Sequence, residues 1–141
     1  MLNGISKIIS PELLMFLDKM GHGDEIVLSD GNFSGESTGR NVLRADGSGV
    51  CDLLRAILPL FPLDAYNDNV FLMDKLPCDK DLNVPIWEEY KAIVKKYTDR
   101  EPVFLSRSGF YERAAKSFVI VVTGETAIYA NVILKKGVVF Q

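Results

Sequence analysis

The sequence predicts an α/β protein: a single layered domain, residues 1–141, with a mixed β-sheet flanked by helices. Three observations carry this. Short runs of Val, Ile and Leu alternate with segments of helical period from end to end. Two strong strands follow each other at the end of the chain, and a hairpin there excludes a wholly parallel sheet. The length of 141 residues suits one domain with a substantial core.

The first helix opens at Ser10-Pro11-Glu12, where Ser10 can cap and Pro11 fits a position whose N–H is unused. Leu13, Leu14, Phe16, Leu17 and Met20 recur at helical spacing, and Gly21 supplies a stop. Residues 25–29 read as a short buried strand ending at Asp30. Residues 31–40, with three glycines and no period, read as a loop, followed by a strand over 41–44 and a helix over 50–58. A strand at 70–73 and an irregular charged stretch at 74–83 precede a helix over 85–97, with Trp87, Tyr90, Ile93, Val94 and Tyr97 on one face. Residues 103–105 read as a buried strand, and Ser108 as the cap of a helix carrying Phe110, Tyr111, Ala114 and Ala115. Strands over 118–123 and 127–134, joined by a turn at Gly124-Glu125, close the chain. No linker divides it.

A net charge of −3 and a pI near 5.2 argue against nucleic acid or an anionic membrane as partner. Cys51, Cys78 and the one histidine, His22, fall short of the four ligands of a structural zinc site, so we expect no metal. The start MLNGISKIIS lacks the pattern of a signal peptide, and no stretch reaches the ~18 apolar residues of a spanning helix. A cytoplasmic address is the expectation.

Gly21-His22-Gly23 is the most unusual local string. An imidazole between two glycines is open to small molecules, and it is the side chain that gives and takes protons near neutral pH. The alternative is a solvated turn residue beside a glycine cap. Asp30, at the end of a strand, could bind hydroxyls or orient the imidazole, or could simply bond its own turn. Tyr129 and Asn131 lie two apart within an apolar strand, so their side chains share a face, and Asn131 needs partners among apolar neighbours, whether for function or for the backbone. Arg107 lies just past a strand, where an arginine is either a ligand or solvated surface.

The strings Ile9–Leu14, Met20–Ile26, Leu28-Ser29-Asp30, Arg44–Gly47, Phe110–Ala114 and Tyr129–Val138 together resemble the ribose pyranase/fucose mutarotase family, and its fucose branch in particular, from about residue 5 to 139. Gly31 and Ser34 depart from it, since relatives often carry alanine and proline there. The resemblance implies a ribose pyranase-like fold and an isomerase that interconverts the anomers of L-fucose without cofactor. It places the acid/base histidine on His22 and substrate binding on Asp30, Arg107, Tyr129, Ala130 and Asn131. It further implies a homo-oligomer, commonly a decamer of two pentameric rings, with sites near subunit boundaries. The alternatives are D-ribose pyranase activity and a non-catalytic monosaccharide-binding module.

Overall fold

The computed structural model describes residues 1–140. The elements in chain order are α1 (Pro11–Lys19), β1 (Glu25–Ser29), α2 (Gly35–Thr38), β2 (Val42–Ala45), α3 (Val50–Ile57), β3 (Val70–Met73), α4 (Ile86–Val94), β4 (Val103–Leu105), α5 (Arg107–Lys116), β5 (Val119–Thr123) and β6 (Val132–Lys135). The strands form one six-stranded sheet in the order β2-β5-β1-β6-β3-β4. Only β6 runs against its neighbours β1 and β3, while the other pairings are parallel. The carboxyl ends of five strands therefore open on one pole of the molecule, and the amino ends on the other.

Alternation along β1 divides the core. Ile26 and Leu28 face a large cluster with α1, α3 and α4, which includes Leu13, Leu17, Leu53, Leu54, Ile57 and Tyr90. Val27 faces a smaller cluster under α5, with Phe71, Phe110, Ile120, Val122 and Ile133. The predicted mixed α/β layering is observed.

The predicted closing hairpin is not. β1 lies between β5 and β6, and the strand expected over 127–134 shrinks to Val132–Lys135. Residues 124–131 instead arch over the carboxyl end of β1, held by Gly31 N–H on the Glu125 carbonyl at 2.9 Å and Gly124 N–H on the Ser48 carbonyl at 3.0 Å. Polar residues of the arch find partners at the strand end that a hairpin would have denied them.

Local differences are smaller. Ser106, not Ser108, caps α5 by accepting the Gly109 N–H. β4 is a half-exposed edge strand, with Phe104 37% accessible, so its apolar run was no sign of burial. A four-residue helix interrupts the 31–40 loop. Ser10 caps α1 as expected, but the helix ends without a left-handed residue: Met20 is extended, and Lys136 Nζ holds the Leu17 and Met20 carbonyls.

Candidate active site

At the carboxyl pole a cavity of about 250 Å³ collects Asp30, Arg107, Tyr129 and Asn131, four of the six residues singled out from the sequence. This position, outside the carboxyl ends of parallel strands, is where open α/β sheets hold ligands. Phe33 and Tyr111 stack at 4.5 Å and 6° as one wall, with the Arg107 guanidinium 5.2 Å above the Tyr111 ring. Met73, Asp79, Asn32 and Ile128 complete the lining.

Asp30 follows the last residue of β1 and is buried. Its Oδ1 accepts the Asn32 N–H at 3.0 Å, the turn contact expected of an ordinary aspartate, yet the same carboxylate lines the cavity. Both readings of this residue hold at once. Burial pushes its pKa above the usual carboxylate value, against hydrogen bonds from the backbone of Asn32, Ala130 and Phe33 and from Asn131.

Asn131 is buried, and its Oδ1 accepts the Asp30 N–H at 2.8 Å. The Nδ2 group carries two donors, which face the Asp30 carboxylate and the weakly accepting Met73 sulfur at 3.7 Å. Tyr129 adopts φ +53°, a left-handed conformation that costs a non-glycine residue about 1–3 kcal/mol. Its phenol donates to Asp79 Oδ2 at 2.5 Å and accepts the Leu76 N–H at 3.2 Å. That bond to Asp79 raises the Tyr129 pKa and keeps the phenol protonated. Ala130 is fully buried and contributes backbone alone, its carbonyl accepting from the Tyr90 hydroxyl.

Arg107 is the first residue of α5, where a cation opposes the helix dipole. It has no carboxylate partner among the described residues and lines the cavity beside Tyr111. The far end of α5 is tied down by Arg113, which grips Glu25 with two bonds of 2.7 Å and lies 3.8 Å from the Phe71 ring centroid.

His22 is elsewhere. It lies at the amino pole, 45% exposed, on a turn that requires Gly23 at φ +88° and is stitched by Gly23 N–H to the Lys136 carbonyl at 2.8 Å. Asp30 does not orient it, contrary to one expectation. The orienting carboxylate is Asp64, with Oδ1 3.2 Å from Nε2. Asp64 is buried, which pushes its pKa up, but the Tyr66 N–H, the Asn67 amide and His22 together hold it below the usual carboxylate value. Tyr66 stands over the imidazole at 5.7 Å between centroids. Nothing in the local pattern of Leu63-Asp64-Ala65-Tyr66 marks this aspartate, because its role comes from the bridge between Leu63 and Lys136. Gly137 makes that bridge tight, since a Cβ there would lie 2.5 Å from the Leu63 carbonyl oxygen.

A mixed α/β sheet with a small polar cavity at its carboxyl edge and an aspartate-paired imidazole at its amino edge defines a protein equipped for hydroxyl recognition and proton transfer. The sequence matches the RbsD / FucU transport protein family over residues 3–139, and the chain belongs to that family. A fucose mutarotase of Danio rerio is 49% identical, covering 98% of this chain and 94% of the relative. The crystal structure of the fucose mutarotase from Streptococcus pneumoniae in complex with L-fucose superposes with a TM-score of 0.92 at 43% identity, over 99% of this chain and all of that one. Bacillus subtilis RbsD complexed with D-ribose shares the fold, with a TM-score of 0.76 at 21% identity over 99% of this chain and all of that one.

Proposed function

We propose that this chain is an L-fucose mutarotase, an isomerase interconverting the α and β anomers by assisted ring opening and reclosure. The supporting observation is the convergence of Asp30, Arg107, Tyr129 and Asn131 on one cavity, in a chain whose relatives carry that activity in their names. A base takes the proton from the anomeric hydroxyl while an acid protonates the ring oxygen. The ring C–O bond breaks to an aldehyde, the first carbon–carbon bond rotates, and reclosure reverses the proton transfers. Proton transfer is the whole chemistry, and this reading requires no cofactor and no metal.

In this reading Asp30 accepts sugar hydroxyls, while Arg107 and the Asn131 amide hold sugar oxygens. Tyr129 packs its ring on the sugar because its hydroxyl is committed to Asp79. His22 is the main proton donor and acceptor, with Asp64 setting its tautomer. The imidazole and the cavity occupy opposite poles, so a working site needs His22 from a second copy docked head to tail. Such heterologous contacts close into rings, which suits the homo-oligomer, a decamer of two pentamers, that we assign to it. Two unpaired thiols, Cys51 and Cys78, suit the cytoplasm.

Saturation-transfer NMR on L-fucose tests the activity. Anomer exchange well above buffer, and faster than pyran–furan exchange of D-ribose, is expected. Preference for D-ribose would make the protein a ribose pyranase. Saturable fucose binding without exchange would make it a non-catalytic module.

A further inference from the structure

The segment that reads as sugar-binding is held from beneath by a helix that does not line the cavity. Trp87 and Tyr90 lie three apart on α4, so their side chains share a face. Trp87 Nε1 donates to the Tyr129 carbonyl at 2.8 Å, and the Tyr90 hydroxyl donates to the Ala130 carbonyl at 2.8 Å. Two consecutive peptide carbonyls are thereby drawn toward α4.

We propose that Trp87 and Tyr90 are positioning residues for the site, fixing the peptide planes that present Tyr129 and Asn131 to the sugar. The inference deepens the mutarotase reading and rests on it for the identity of the ligand.

A peptide plane has two ends. With the Tyr129 carbonyl held by the indole, the N–H of Ala130 on the same plane points the other way, where it bonds the Asp30 carboxylate. Losing the indole donor frees that plane to turn and withdraws a donor from Asp30. Tyr90 acts one residue further on. It is fully buried, and its bond to the Ala130 carbonyl sets the start of the peptide that carries Asn131 into contact with the Asp30 N–H. The indole itself is placed by the Phe104 ring, at 4.8 Å and 68° between planes.

Trp87→Phe and Tyr90→Phe each remove one donor and keep an aromatic ring, so both are expected to fold. In the NMR exchange assay each should raise the KM for L-fucose about tenfold, the worth of one good hydrogen bond, and change kcat much less. In hydrogen–deuterium exchange mass spectrometry, peptides covering 126–131 should exchange faster while those within β5 keep their protection. A merely structural role predicts general loss of protection, or a lower melting temperature with KM unchanged, and either overturns the proposal. Unaltered exchange over 126–131 in both variants does the same. If the wild-type protein fails to exchange fucose anomers, the mutarotase reading falls, and the deuterium result still decides whether α4 holds this segment.

Discussion

His22 and Asp30 stand beyond opposite ends of one strand, β1, whose five residues span roughly 17 Å at ~3.3 Å per residue. No side-chain motion closes such a gap within one chain. If both serve the same sugar, they come from different copies, and each inactive variant keeps what the other has lost. An equimolar mixture of His22→Ala and Asp30→Asn chains, dissociated and reassembled together, should therefore regain about a quarter of wild-type exchange, the share of randomly formed head-to-tail contacts with both groups intact. Each variant alone should be nearly inactive. Absence of any recovery, with mixed oligomers verified by native mass spectrometry, would count decisively against a shared site.

In the proposed mechanism the imidazole relays protons and needs its tautomer set, and Asp64 is the group that bonds it. Asp64→Asn keeps the shape of the side chain but replaces the carboxylate oxygen that bonds the imidazole. Exchange of fucose anomers should slow within the roughly 10²–10⁴ range of general acid–base assistance, with little change in KM. A large change in KM at unaltered kcat would assign Asp64 to binding instead.

Trp87 is the only tryptophan in the chain, and it bonds the backbone of a residue lining the cavity. Intrinsic emission of the wild-type protein should change saturably with L-fucose at the concentrations that saturate exchange. An emission spectrum indifferent to saturating sugar would disconnect α4 from the site.

Much of this was legible in the sequence where the signal is local. Ser10-Pro11 marked a helix start because a cap and a tolerated proline act on adjacent residues. The buried strands β1, β3 and β5 were visible as apolar runs for the same reason. Asp30 was found because it ends such a strand. Asp64 and Asp79 were missed because their roles depend on partners far along the chain, His22 for one and Tyr129 for the other. The false hairpin has the same origin. Apolar residues at 127–134 satisfy a strand pattern, but Asn131 is claimed by Asp30 and Tyr129 by Asp79, so the chain arches before it can pair.

Ser34 offers a stability test. It has φ −77° and ψ 53°, with the Gly35 N–H on the Phe33 carbonyl at 2.8 Å, an inverse γ-turn. Proline fits that φ and costs no hydrogen bond, because the Ser34 N–H has no partner among the described residues. Ser34→Pro should stabilise the fold by about 0.4–1 kcal/mol through the unfolded chain, seen as a higher urea midpoint with unchanged slope. A lower midpoint would mean that the turn needs a conformation proline denies to Phe33.

The two buried aspartates should pull stability in opposite directions as pH changes. Asp64 has its pKa below the ordinary 3.8 in the fold, so its contribution is fully present above 3.8 and is lost as pH falls through the lower folded value. Asp30 has its pKa above 3.8, so the folded protein holds that proton more tightly than the unfolded chain does. Its effect is a loss of stability as pH rises from 3.8 through the raised value. Urea midpoints of the wild type minus those of Asp64→Asn should therefore increase with pH below 3.8. The corresponding difference for Asp30→Asn should decrease with pH above 3.8. Subtraction removes the exposed carboxylates, such as Asp46 beside Arg44, that titrate alike in all three proteins. The same raised pKa makes fucose affinity fall on the acid side at a pH above the ordinary aspartate value, since a protonated Asp30 offers one acceptor fewer to a hydroxyl. An Asp30 difference curve that rises with pH would show the carboxylate to be stabilised in its charged form, and would remove the reason for placing that acid limb so high.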